Sequence, residues 1–139
     1  MWAKQLGRSL SRLLQYVNAG HNPPIVVRPR TQCCELFHLR AEALPIGVYT
    51  EAKFAATRFQ LVKDDILVAY TDGITEAAHT SGQLGGVEKL ESLLPSCSRM
   101  TPGEVVERIL AEVSDFANGE RQRDDVALVV MKVQDGCDI

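Results

Sequence analysis

The sequence has no apolar run near the roughly 18 residues that a membrane-spanning helix needs, which excludes a helical membrane anchor within these 139 residues. Its first eight residues, Met1-Trp2-Ala3-Lys4-Gln5-Leu6-Gly7-Arg8, contain neither an apolar core nor a small-residue cleavage site, so a secretory signal is not expected and the cytoplasm is the expected compartment. There is no excess of basic charge. The formal net charge is -3, and nucleic-acid binding, which needs a basic face, is not expected. The four cysteines (Cys33, Cys34, Cys97 and Cys137) form no C-x-x-C pair, so they suggest no zinc site and read as thiols in a reducing cytosol. No G-x-S-x-G elbow and no Walker loop occurs, so serine-hydrolase and P-loop chemistry have no support. Repeats, low-complexity tracts and Gly/Ser-rich linkers are also absent.

What remains is an ordinary soluble composition, 45% hydrophobic and 24% charged, in the length of a single domain, residues 1–139. Residues 13–18 read as a strand, and Asn22-Pro23-Pro24 forces a bend before a returning strand at 25–28. A weaker strand is expected at 35–40, after a turn at Pro29-Arg30-Thr31-Gln32. Residues 57–62 alternate polar and apolar, as a half-buried strand does. Lys63-Asp64-Asp65 then reads as a tight turn into the continuous apolar run 66–70, a central buried strand, and the two strands are expected to form a hairpin. Beyond this the period becomes helical. Val87, Leu90, Leu93 and Leu94 mark one helix, which Pro95 should end. Thr101-Pro102-Gly103-Glu104 is a capping box that opens a second, with an apolar stripe of Val106, Ile109, Leu110, Val113 and Phe116 and a stop at Asn118-Gly119. Residues 126–133 form a last strand, expected to insert back into the sheet. Strands, two helices and a closing strand make an α+β sandwich.

Two acidic sites lie at the ends of buried strands. Asp72 follows the run 66–70 and precedes Gly73, and Asp124-Asp125 precedes the last strand. Carboxylates at neighbouring strand tips can converge on one cation, and oxygen-only ligands favour Mg²⁺ or Mn²⁺. A water on such a cation is acidified towards hydroxide, and a metal pair clamps the attacking and leaving oxygens of an in-line displacement, which suits phosphate-ester hydrolysis. Taken singly, each site is equally a turn or a solvated cap. His21 is a ligand, a general acid or a structural histidine pinning its loop. Arg121 and Arg123 could meet a substrate phosphate or stay solvated. His38 reads as a surface residue, and Gly82, Gly85 and Gly86 as a flexible flap.

Four blocks occur in order: Tyr16-Val17-Asn18-Ala19-Gly20-His21-Asn22-Pro23-Pro24; Leu44-Pro45-Ile46-Gly47; Asp65-Ile66-Leu67-Val68-Ala69-Tyr70-Thr71-Asp72-Gly73-Ile74-Thr75-Glu76-Ala77; and Gln122-Arg123-Asp124-Asp125-Val126-Ala127-Leu128-Val129. Together, over about residues 13–133, they resemble the stage-II-sporulation-E and sigma-regulator branch of the PPM (PP2C-like) phosphatases. The resemblance implies a PP2C-like β-sandwich flanked by helices, with a two-metal Mn²⁺ or Mg²⁺ centre between the sheets. It implies hydrolysis of phosphoserine or phosphothreonine on a bacterial protein regulator, typically an anti-anti-sigma factor, in partner-switching signalling. On that pattern Asp72 and Asp124 are the expected metal ligands. Gly73, Asp125, His21 and Arg123 are expected to support the site or the substrate.

The family's upstream Gly-Asp-x-x-Asp block, whose aspartate bridges the metals, has no counterpart, because residues 1–12 contain no Asp or Glu. The N-terminal part of the domain is therefore expected to be missing and the metal centre incomplete. The alternative reading is a catalytically inactive remnant that binds the regulator without hydrolysis. Self-association through an uncovered sandwich face is the further expectation.

Overall fold

The computed structural model describes residues 12–40, 45–49, 51–77, 86–117 and 125–135. Strand β1 (Leu13–Tyr16) turns Leu14 and Tyr16 inward and pairs antiparallel with β4 (Thr57–Gln60) in a two-stranded sheet. Strands β2 (Ile25–Pro29) and β3 (Cys34–His38) form the expected hairpin, its turn closed by Arg30 N–H donating to the Cys33 carbonyl at 2.8 Å. Strand β5 (Ile66–Tyr70) lies between β2 and β6 (Leu128–Lys132), giving an antiparallel sheet of order β3-β2-β5-β6.

Strand pairing differs from the sequence expectation in two places. The strand at Ile25–Pro29 pairs with β3 and β5 rather than returning along β1, and β4 and β5 are not a hairpin but belong to different sheets. The reason lies in burial. Ile66, Leu67 and Val68 are all buried, so β5 needs a partner on each edge and cover on each face. Strand β4, with Thr57, Arg58 and Gln60 exposed, suits the outer pair. The turn between them is held by long-range bonds instead. The carboxylate of Asp65 accepts from Val62 N–H at 2.8 Å and from Arg28 of β2 at 2.8 and 2.9 Å, while Asp64 takes a left-handed φ of 68°. The last strand inserts no deeper than the sheet edge beside β5.

Helix α1 (Asp72–Thr75) follows β5 directly. Helix α2 (Gly86–Leu93) ends before Pro95, as expected, and the chain tightens into a 3-10 turn, Leu94–Cys97, whose first turn accommodates the proline because no amide donor is needed there. Helix α3 (Pro102–Ala117) opens on the expected capping box: Glu104 accepts from Thr101 N–H at 2.7 Å, and Glu104 N–H donates to the Thr101 hydroxyl at 3.4 Å. Its buried face holds Ile109 and, partly buried, Val113, as expected, but Val105 rather than Val106 is buried at its start and Leu110 is exposed. The Asn118-Gly119 stop lies outside the described residues.

Alternation along the strands divides the core in two. Ile25, Val27, Ile66, Val68 and Tyr70 face the helices and pack with Leu90, Leu94, Val105 and Ile109. Val26 and Leu67 face the other way, against Leu14, Tyr16 and Leu39. The result is an α+β sandwich with helices on one side. The two-stranded sheet covers only part of the opposite side. Val129 and Met131, the register partners of Ala69 and Leu67, are exposed there and line an apolar cleft of about 580 Å³ with Tyr16, Val17 and Ile46. Among the described residues no helix is long and apolar enough to cross a membrane.

Candidate functional site

The antiparallel register sets Tyr70, the last residue of β5, against Leu128, the first of β6, so the chain leaving one strand meets the chain entering the other. Thr71 joins them. Its N–H donates to the Ala127 carbonyl at 3.0 Å, and its hydroxyl accepts from Ala127 N–H at 2.8 Å and donates to the Asp125 carbonyl at 3.0 Å. The Thr71 side chain is thus spent on residues 125–127 and makes no cap bond to α1. Gly73 is buried against the same segment. A β-carbon there would lie 2.5 Å from the Asp125 carbonyl oxygen, so only glycine permits this approach. Ile74 anchors α1 in the helix-side core, and Asp72 stays exposed, its Oδ1 accepting from Gly73 N–H at 3.1 Å.

The structure therefore brings Asp72, Gly73 and the backbone of Asp125 together at one end of β5 and β6. Asp124, Arg121, Arg123 and His79 lie outside the described residues. Among the described residues no group of three or more His, Cys, Asp or Glu side chains is arranged to hold a metal. Asp72 has the right donor chemistry for a hard cation, an exposed carboxylate on a fixed backbone, and any further oxygen ligands must come from elsewhere.

A second loop approaches the same end. Asn18, nearly buried, accepts from His21 N–H at 2.9 Å and donates to the carbonyls of His21 at 3.0 Å and Leu39 at 3.4 Å. It is Asn18, rather than the histidine, that pins this loop. Gly20 has a φ of +82°, and a β-carbon on it would meet Pro45 at 2.6 Å, so the first and second sequence blocks interlock through a glycine. His21 is exposed, its Nδ1 2.8 Å from the Asn22 carbonyl oxygen, which places the proton on Nδ1.

Between this loop, β3, α1 and α2 lies a polar cleft of about 460 Å³, lined by His21, His38, Arg40, Tyr70, Thr75 and Glu91 among others. His38 is no ordinary surface residue. Its Nε2 donates to Glu91 Oε1 at 2.7 Å, tying β3 to α2 across 53 residues of sequence. Burial, and then the Glu91 charge, push the Tyr70 phenol above its ordinary range, so it stays protonated. Arg40 and Glu91 are not singled out by sequence and His38 is read there only as a surface residue, because no local signal groups the three.

Comparison with known proteins follows the same residues. The family model described as Stage II sporulation protein E (SpoIIE) matches residues 8–134. Protein IcfG of Synechocystis sp. is 26% identical over 120 residues, which is 85% of this chain and 18% of that protein. Among solved structures, the SiaA-PP2C domain of Pseudomonas aeruginosa aligns with a TM-score of 0.73 at 18% identity, over 89% of this chain and 48% of that one. The PP2C phosphatase domain of SpoIIE from Bacillus subtilis, with a fragment of its regulatory domain, gives 0.65 at 20%, over 87% and 34%. The RsbU and RsbW domains of a Mycobacterium tuberculosis protein give 0.65 at 23%, over 90% and 33%. The chain thus spans about half or less of the solved chains it resembles, and under a fifth of Protein IcfG.

Proposed function

We propose, from the premise that this chain belongs to the stage II sporulation protein E family of PP2C-like serine/threonine phosphatases, that it supplies the Asp72 and Asp124 side of a metal-dependent phosphatase centre. Its substrate is phosphoserine or phosphothreonine on a bacterial regulatory protein of the anti-anti-sigma type, in partner-switching signalling. The observation that carries the reading is the junction of Thr71 and Gly73 with residues 125–127, which sets the Asp72 carboxylate beside the segment that continues from Asp124. Asp72 and Asp124 would hold the Mn²⁺ or Mg²⁺. A bound cation of this kind supplies an acidified water as nucleophile. The chain's own contribution is positional: β5 and β6 fix the two carboxylate-bearing segments, and Gly73 keeps them close. Asp125 and Arg123 belong to the same segment, as supports of the site or of the phosphate.

A second reading is a protein that binds the phosphorylated regulator without hydrolysing it. It is kept because residues 1–139 hold no counterpart of the family's bridging Gly-Asp-x-x-Asp block. The exposed Val129 and Met131 face also supports self-association, which light scattering would measure. Hydrolysis of p-nitrophenyl phosphate with added Mn²⁺, lost in Asp72→Asn, would establish the enzyme. Calorimetric Mn²⁺ titration of both proteins tests the site independently of turnover. A folded chain that neither binds Mn²⁺ nor turns over substrate sinks the catalytic reading.

A further inference from the structure

We infer that the polar cleft between the Asn18–His21 loop, β3 and α2 receives an acidic segment of the phosphorylated protein, with Arg40 meeting its carboxylate. This rests on the proposed reading of the Asp72 site and adds a selectivity to it. The cleft adjoins that site through two elements. Tyr70 in its wall is two residues before Asp72, and Thr75, also in the wall, donates its hydroxyl to the Asp72 carbonyl at 3.2 Å. A peptide whose phosphorylated residue sits at Asp72 would therefore run its flanking residues into the cleft.

The charge of the cleft selects what can enter. Arg40 is held by its backbone at both ends: its N–H donates to the His38 carbonyl at 2.9 Å, and its carbonyl accepts from the Tyr16 hydroxyl at 3.2 Å. Its guanidinium is exposed, and no carboxylate among the described residues pairs with it, whereas Arg28 meets Asp65 and Arg30 meets Glu35. A guanidinium without a carboxylate partner among the described residues, carried on a fixed backbone at a concave site, favours a bidentate carboxylate. Among the described residues that line the cleft the one acid is Glu91, which His38 already engages and which lies on the α2 side. The Tyr70 phenol, held protonated, offers a donor to a peptide carbonyl. A volume of about 460 Å³ is within the usual range for a ligand cleft.

The test is fluorescence-polarisation binding of two phosphoserine peptides to the full chain, one flanked by Asp and Glu and one by Ala and Ser. Wild type should prefer the acidic peptide by about tenfold, the scale of one charge-assisted bond. Arg40→Ala should erase the preference, Arg40→Lys should keep part of it, and Arg40→Glu should reverse it, all without a change in Tm. Equal binding of both peptides by wild type, or an equal loss of both in Arg40→Ala, would overturn the inference. Binding needs no turnover, so failure of the catalytic reading is seen separately. An inactive chain with Arg40-dependent preference retains the cleft, and an active chain without the preference lacks it.

Discussion

Replacing Asp65 should be among the most damaging single changes in this protein, although the residue lies in a turn. Its carboxylate is fully buried and accepts three bonds, from Arg28 Nε at 2.9 Å, Arg28 Nη2 at 2.8 Å and Val62 N–H at 2.8 Å. Arg28 in turn donates to the Gln60 carbonyl at 2.9 Å and lies over the rings of Phe37 and Phe59, so one ion pair ties β2, β3, β4 and β5 together. Asp65→Ala leaves a guanidinium with 13% side-chain exposure without its paired carboxylate, and orphans the Val62 amide. Breaking such a pair from one side costs about 3–5 kcal/mol. The bond that Arg28 keeps to Gln60 favours the lower end. Against a total stability of roughly 5–15 kcal/mol, a loss of about 3 kcal/mol lowers Tm by about 10 °C in a domain of this size. Urea and thermal unfolding followed by circular dichroism would measure it. Adding Arg28→Met removes the orphaned charge, so the double variant should be less damaged than the two single losses summed, by about 1–2 kcal/mol. A loss below about 1 kcal/mol for Asp65→Ala, or strict additivity in the cycle, would refute the argument.

The same Gly→Ala change should have opposite signs at two positions. At Gly73 the new methyl would strike the Asp125 backbone and cost roughly 1–3 kcal/mol, while at Gly103, in open space in the first turn of α3, it should gain about 0.4–1 kcal/mol; paired melting curves decide. Glu104 is held below its ordinary range first by the Thr101 amide and then by the Thr101 hydroxyl. A carboxyl with a lowered folded pKa contributes stability above its unfolded value and loses it as pH falls through the folded one. Glu104→Ala should therefore lower Tm at neutral pH and converge with wild type in acid; a gap that persists in acid would contradict the capping account.

The parts of this fold that were legible in the sequence are those fixed locally. The apolar run of β5, the capping box of α3 and the β2–β3 turn each state their structure within a few residues. The β4–β5 connection was misread because Lys63-Asp64-Asp65 has ordinary turn chemistry, and what sends the chain into the second sheet is a partner 37 residues away, Arg28. The stripe of α3 is legible at Ile109 and Val113 but not at its start, because Val105 and Val106 have the same helix propensity and only tertiary packing in the helix-side core buries Val105. At the candidate site, the approach of Asp72 to the Asp125 segment follows from strand adjacency, which the sequence suggests. The His38–Glu91 pair, 53 residues apart, has no sequence signature.

What fixes the site geometry is not the carboxylates but the small residues around them. Gly20 admits Pro45, Gly73 admits Asp125, and the Thr71 hydroxyl bonds Asp125 and Ala127. The two glycines join sequence blocks by close backbone approach, which cannot rearrange as a rotamer can. Asp72 can then remain exposed and solvated at little cost, because its position is set by the chain beneath it. Such a division lets ligand chemistry and ligand placement fail separately. Asp72→Asn removes the charge and leaves the loop junction intact. Gly73→Ala keeps the charge and displaces it. If a divalent cation depends on this end of the sheet, both variants should weaken its binding, and only the second should also lower Tm appreciably.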